Sequence, residues 1–196
     1  MPADGFTLSQ RFVIIPGMSA KIIKEERLHK SFHFNLDRLT LQTHAGQEIN
    51  RDVIRHPGAA LILPILTDGS MVLIRNYRYP AADYLVELPC GTIDNGEPPI
   101  ECARRELLEE TGYTAEIFEE LASWYSCPGY SDEVIYAFVA SGLKRGSQKL
   151  EEYEDISVII RSDAEVRNML ADNQIRDAKT ISALGTYWIR KELSKR

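Results

Sequence analysis

Glu106, Glu109 and Glu110 crowd into a short stretch, GTIDNGEPPIECARRELLEETGY, that runs from Gly91 to Tyr113. On a helix Glu106 and Glu110 are one turn apart on one face, and Glu109 lies on the edge of that face. Like charges at this spacing destabilise a helix by about 0.2–0.5 kcal/mol per pair, so no stability argument asks for them together. A hard cation is the natural partner. Mg²⁺ takes oxygen ligands and commonly combines one or two carboxylates with substrate phosphates and water. Such an ion neutralises phosphate charge and lowers the pKa of a bound water towards neutral. Arg105, four residues before Glu109, can pair with that carboxylate and orient it. The plain alternative is a solvated acidic helix face, which an isolated Glu-Glu pair most often is.

These carboxylates need a helix and a scaffold. Pro98 and Pro99 fit only the first turn of a helix, which then runs to Thr111 with Gly112 as its C-terminal cap. Pro89 and the cluster Asp94, Asn95, Gly96 break the chain ahead of it. Ala59 to Leu66 and Met71 to Tyr77 are β-rich runs joined through Asp68 and Gly69, a hairpin signal at which the core sheet begins. Upstream, Phe32, Phe34 and Leu36, then Leu39 and Leu41, alternate as short strands joined by a turn at Asp37 and Arg38. Further strands are expected around Ala115 to Tyr125, Glu133 to Ala140 and Ile156 to Ile160. Ser162 or Asp163 can cap a helix through Leu170, and a last amphipathic helix carries Ile181, Leu184, Trp188 and Ile189. The pattern predicts an α/β (α+β layered) domain.

At 196 residues, with 44% apolar and 27% charged composition, the chain supports one well-buried core and not two large domains. No run approaches the ~18 apolar residues of a membrane helix, and the start of the chain lacks the apolar stretch of a signal peptide, so a cytoplasmic protein is expected. Cys90, Cys102 and Cys127 form no CxxC pair, which favours reduced thiols over a disulfide framework or structural zinc. A net charge of −6 argues against a phosphate-backbone binder, so no nucleic acid is expected as partner. Acidic residues facing an anionic substrate again require a cation between them.

Gly91, Glu97, Arg105, Glu106, Glu109, Glu110 and Gly112 fill every fixed position of the Nudix box. Tyr113 stands at the last apolar position, a mild departure that touches no ligand. The chain therefore resembles the Nudix hydrolases, and from Arg51 to Leu184 it is similar to their ADP-ribose pyrophosphatase branch. That resemblance implies a Nudix fold, with a mixed sheet between helices, in residues 58–196. Residues 1–57 would form a small antiparallel extension.

The resemblance also implies a site. Glu106, Glu109, Glu110 and the carbonyl of Cys90, at the end of LVELPCG, would hold two or more Mg²⁺ or Mn²⁺ ions, with Glu154 reaching a metal from the EEYEDISV loop. Arg78, closing IRNYRYP, matches a substrate contact, although Asn76 replaces the branch's usual glutamine. Glu87, in the same LVELPCG run, is a further substrate-binding candidate. Pro128, sixteen residues after Gly112 in SCPGYSDE, matches the proline of ADP-ribose-preferring members. Glu152 matches the position of the general base, and Glu133 is its rival, as related enzymes differ in this choice.

The branch is commonly homodimeric, with N-terminal strands exchanged into the partner's pocket. Arg51 matches a partner-supplied substrate residue, and Phe32 and Phe34 are the aromatic candidates for stacking on the base. The implied reaction splits the pyrophosphate of ADP-ribose, or of another sugar nucleotide such as GDP-mannose, into a nucleoside monophosphate and a sugar phosphate. A non-catalytic module that senses ADP-ribose is the reading from another class.

Overall fold

A computed structural model describes residues 20–152 and 154–195, so the reading of the first nineteen residues lies outside the described region. The described residues begin with a separate antiparallel sheet of three strands in the order β1-β2-β3. These are Lys21–Lys30, Asn35–Gln42 and Glu48–Arg55. The expected turn at Asp37 and Arg38 is not there. Both residues lie inside β2, and the chain reverses where the Ser31 amide donates to the Phe34 carbonyl at 2.9 Å. Charge misled the reading. Asp37 is only 2% exposed and is ion-paired to Arg27 of β1 and Arg55 of β3, while Arg38 pairs with Asp52 at 2.7 Å. Polar residues that resembled a turn are cross-strand pairs. Phe32 and Phe34 consequently sit at the reversal and are exposed.

The core starts at β4 (Ala59–Pro64), whose six residues are all buried. The turn through Asp68 and Gly69 closes, with the Gly69 amide on the Leu66 carbonyl at 2.9 Å, and β5 (Met71–Arg78) follows. Yet the two arms are not one hairpin sheet, because beyond the Ile65–Met71 bridge they diverge. Both edges of β4 are taken. It pairs parallel to β10 (Val134–Ser141) on one side and antiparallel to β7 (Cys90–Thr92) on the other, with β9 (Ile117–Tyr125) beyond β10. β5 instead heads a second sheet between β6 (Asp83–Glu87) and β12 (Ile156–Arg161). A strand with both faces and both edges covered reads as the continuous apolar run seen in β4.

Alternation along β4 sorts the helices onto two faces. Ala60 and Ile62 meet Cys102, Ala103 and Leu107 of α1 (Pro99–Thr111), while Leu61 and Leu63 join Val166, Leu184 and Trp188. Val166 belongs to α2 (Asp163–Ala171), capped by Ser162, and the other two to α3 (Ala178–Leu193), capped by Asp177. This is the layered α+β class expected from the pattern. On α3 the buried stripe runs through Thr180, Ala183, Leu184 and Trp188, so Ile181 at its margin and Ile189 on the far side are exposed, contrary to the expected face. Two short strands, β8 (Tyr113–Thr114) and β11 (Lys144–Arg145), pair beside the end of α1. Among the described residues no helix is long and apolar enough to cross a membrane.

Candidate active site

α1 carries its carboxylates on the buried side. Its inward stripe is Cys102, Ala103, Glu106, Leu107, Glu110 and Thr111, and Glu106 and Glu110 are 9% and 4% exposed. Both face the bend that links β6 to β7. The Cys90 amide donates to Glu110 Oε2 at 2.8 Å. Gly91 lies under Glu106 so closely that a Cβ there would stand 1.9 Å from the carboxyl carbon. Only glycine leaves that space.

Burial sets the electrostatics. Desolvation pushes the Glu106 carboxyl up to about 7, with Glu109 and Glu154 adding to it and Arg105 opposing. Burial likewise pushes Glu110 well up, and the neighbouring Glu106 charge reinforces the effect. Arg105 is the organising cation. It grips both oxygens of Glu97 at 3.0 Å, and it reaches Glu106 at 2.5 Å, Glu109 at 3.1 Å and the Thr92 carbonyl at 3.1 Å. The expected pair with Glu109 is thus one of several. Glu109 itself stands further out, its side chain 38% exposed. Among the described residues no three His, Cys, Asp or Glu side chains already stand together as a metal cage; Glu106 and Glu110 are the buried members of the three helix carboxylates, with Glu109 at their rim. Two buried carboxylates side by side, facing the backbone at Cys90 and Gly91, suit a hard divalent ion. Such a donor set fits Mg²⁺ or Mn²⁺.

The remaining candidates come from three directions. Arg78, at the end of β5, donates to both oxygens of the buried Glu87 at 2.8 and 2.5 Å, so those two residues form one unit. The segment after β11 is stapled to the end of α1. There Gly146 donates to the Gly112 carbonyl, Lys149 to Glu109 and Gln148 to Glu110, satisfying carbonyls the helix leaves open. Glu154 follows, close enough for its charge to raise Glu106 and Glu110, whereas Glu152 is exposed on the turn before it. Pro128 sits in a turn in which the Tyr130 and Ser131 amides donate to the Cys127 carbonyl. That loop docks on the end of β3, and Glu133 then lies 3.4 Å from His56. Arg51 is exposed on β3 and donates to the Asn50 carbonyl at 2.9 Å.

Sequence reasoning missed three residues near the site. Asp132 pairs with Arg55 at 3.0 Å and accepts the His56 amide at 2.9 Å, joining the first sheet to the Pro128 loop. Asp177 and Thr180 lie behind the β6–β7 bend, where Thr180 accepts the Leu88 amide. Asp177 carries the local signal of an N-cap, but nothing local ties it, Thr180 or Asp132 to the site.

The model of the NUDIX domain matches residues 55–183, the span that contains α1, both core sheets and the 146–155 loop. This chain belongs to the Nudix family. A methanol dehydrogenase activator of Bacillus methanolicus is 34% identical over 88% of this Nudix chain and 95% of its own. An ADP-ribose pyrophosphatase of Bacillus subtilis is 29% identical over 90% and 96%. Among solved structures, an ADP compounds hydrolase superposes with a TM-score of 0.75 at 28% identity, covering 90% of this chain and 95% of that one. The likeness to that structure therefore extends over nearly the whole length, beyond the span that the NUDIX domain matches.

Proposed function

We propose that this Nudix protein hydrolyses the pyrophosphate bond of ADP-ribose and related nucleoside diphosphate sugars with the help of a divalent cation. AMP, or another nucleoside monophosphate, and a sugar phosphate are the products. The observation that carries this is the buried Glu106–Glu110 pair set against Gly91 and the Cys90 backbone. Similarity to an ADP-ribose pyrophosphatase and an ADP compounds hydrolase supports the substrate class.

Glu106, Glu110, Glu109, Glu154 and the Cys90 carbonyl would hold two or more Mg²⁺ or Mn²⁺ ions. Bound there, such ions neutralise the diphosphate and acidify water at neutral pH. Arg105 keeps Glu97, Glu106 and Glu109 in register. The Arg78–Glu87 unit and the Pro128 loop face the substrate. The proton acceptor is a loop carboxylate, either Glu152 on its exposed turn or Glu133 beside His56. Single-turnover rates of Glu152→Gln and Glu133→Gln separate the two.

In this reading residues 58–196 form the catalytic domain. Residues 1–57 serve a cytoplasmic homodimer in which this region, with Arg51, Phe32 and Phe34, is exchanged into the partner's pocket. Support comes from β1, exposed along its whole length, and from Phe32 at 93% exposure. Light scattering is expected to give twice the chain mass at assay concentration, and a monomer would remove this part.

A panel of ADP-ribose, GDP-mannose and UDP-glucose, each assayed with Mg²⁺ and with excess chelator, tests the activity. ADP-ribose is expected to give the highest kcat/KM, and chelator to abolish turnover. Activity untouched by chelator sinks the metal reading. The alternative from another class is a module that binds ADP-ribose without cleaving it. Release of AMP in the same assay excludes that.

A further inference from the structure

The carboxylate pair is built on α1, but the bend that faces it is fixed from the opposite side by α3. Four site features fall in residues 87–91: the Glu87 carboxylate that holds Arg78, the Cys90 amide on Glu110, the Cys90 carbonyl, and Gly91 beneath Glu106. Between them stand Leu88 and Pro89. Proline has no N–H, so Leu88 supplies the one amide inside the bend. That amide donates to Thr180 Oγ1 at 2.8 Å, across 92 residues of sequence. The Pro89 carbonyl is taken by the Ile62 amide of β4 at 2.9 Å.

Thr180 in turn is not free to move. Its hydroxyl donates to Asp177 Oδ2 at 2.8 Å, and its own amide donates to the same oxygen at 2.9 Å. Lys179 Nζ lies 2.7 Å from the other oxygen of Asp177. Burial pushes the Asp177 carboxyl up, but Lys179 and the Thr180 donors outweigh it and hold Asp177 below its ordinary range. Thr180 is fully buried and Asp177 is 9% exposed. An N-cap needs only the bond from the Thr180 amide to Asp177. The hydroxyl relay to Leu88 is surplus to capping, and it points at the site.

We propose that Asp177 and Thr180 are positioning residues of the active site, a relay that fixes the 87–91 bend so that the Cys90 backbone and Glu87 meet cation and diphosphate correctly. The inference rests on the metal-site reading given above. Without the hydroxyl, Leu88 holds a buried amide with no acceptor, and the strain is relieved by shifting the bend. Partners one step removed from a metal commonly change metal affinity or activity 10–100-fold when lost.

The test compares wild type, Thr180→Val, Thr180→Ala and Thr180→Ser by three readouts. These are Mn²⁺ affinity from loss of the free-ion EPR signal, kcat and KM for ADP-ribose, and melting temperature. Thr180→Val is expected to weaken Mn²⁺ binding by about tenfold and to lower kcat more than it changes KM. Thr180→Ser, which keeps the hydroxyl, restores both to within about threefold of wild type. A Thr180→Val protein that melts earlier but binds Mn²⁺ and turns over as wild type does overturns the proposal. Should Thr180→Val not fold, Thr180→Ala, which removes the hydroxyl without a bulkier side chain, decides in its place. Weaker Mn²⁺ binding there supports the relay, and wild-type affinity overturns it. Wild-type protein that binds no Mn²⁺ overturns the functional reading together with this one, whereas a wild-type response to the substitutions overturns the relay alone.

Discussion

Glu110→Gln is expected to lower ADP-ribose turnover at saturating Mg²⁺ by at least about 100-fold while the protein stays folded. The side chain is 4% exposed, and one of its oxygens accepts the Cys90 amide at 2.8 Å. Glutamine keeps an acceptor for that amide and nearly the same shape. What it removes is a charge that burial and the neighbouring Glu106 both oppose. Stability should therefore hold or rise, because one of two crowded like charges is gone. Falling activity with an unchanged or higher melting temperature marks a group kept for chemistry against the interests of the fold. Near-normal turnover would show that Glu110 is no ligand.

Gly91→Ala should separate packing from function in the same way. A Cβ at Gly91 would lie 1.9 Å from the Glu106 carboxyl carbon, and the obstructing atoms are the end of a flexible side chain, not backbone. The carboxylate can swing away, so the fold survives with a melting temperature within a few degrees of wild type. Its new position no longer faces Cys90. Activity is expected to fall by about 10–100-fold, the range seen when the surroundings of a metal ligand are displaced. Steady-state rates and a thermal melt measured together check this. Full activity with a normal melt would mean that Glu106 need not sit over the bend.

Both substitutions probe a site whose parts were unequally legible. Helix α1 was readable because its signals are local. Pro99 starts it, Gly112 in a left-handed turn at φ 73° ends it, and the carboxylate spacing carries the family motif within one continuous stretch. Strands β4, β5, β9, β10 and β12 were readable from apolar runs for the same reason. Their grouping was not, since nothing in the Asp68–Gly69 turn records that both edges of β4 are claimed by β7 and β10. Asp37 and Arg38 resembled a turn because the arginines and aspartate that neutralise them lie on other strands.

The family thus came from the order of residues alone: a motif of carboxylates at helical spacing, bounded by glycines, marks it, and a cation site is what those carboxylates are proposed to form. Tertiary structure decided which of those carboxylates are buried, and that Arg105 binds Glu97 and Glu106 as well as Glu109. It also decided that a threonine 92 residues away holds the facing bend. Burial and long-range hydrogen bonds depend on which surfaces meet, and a local pattern carries no record of its distant partner.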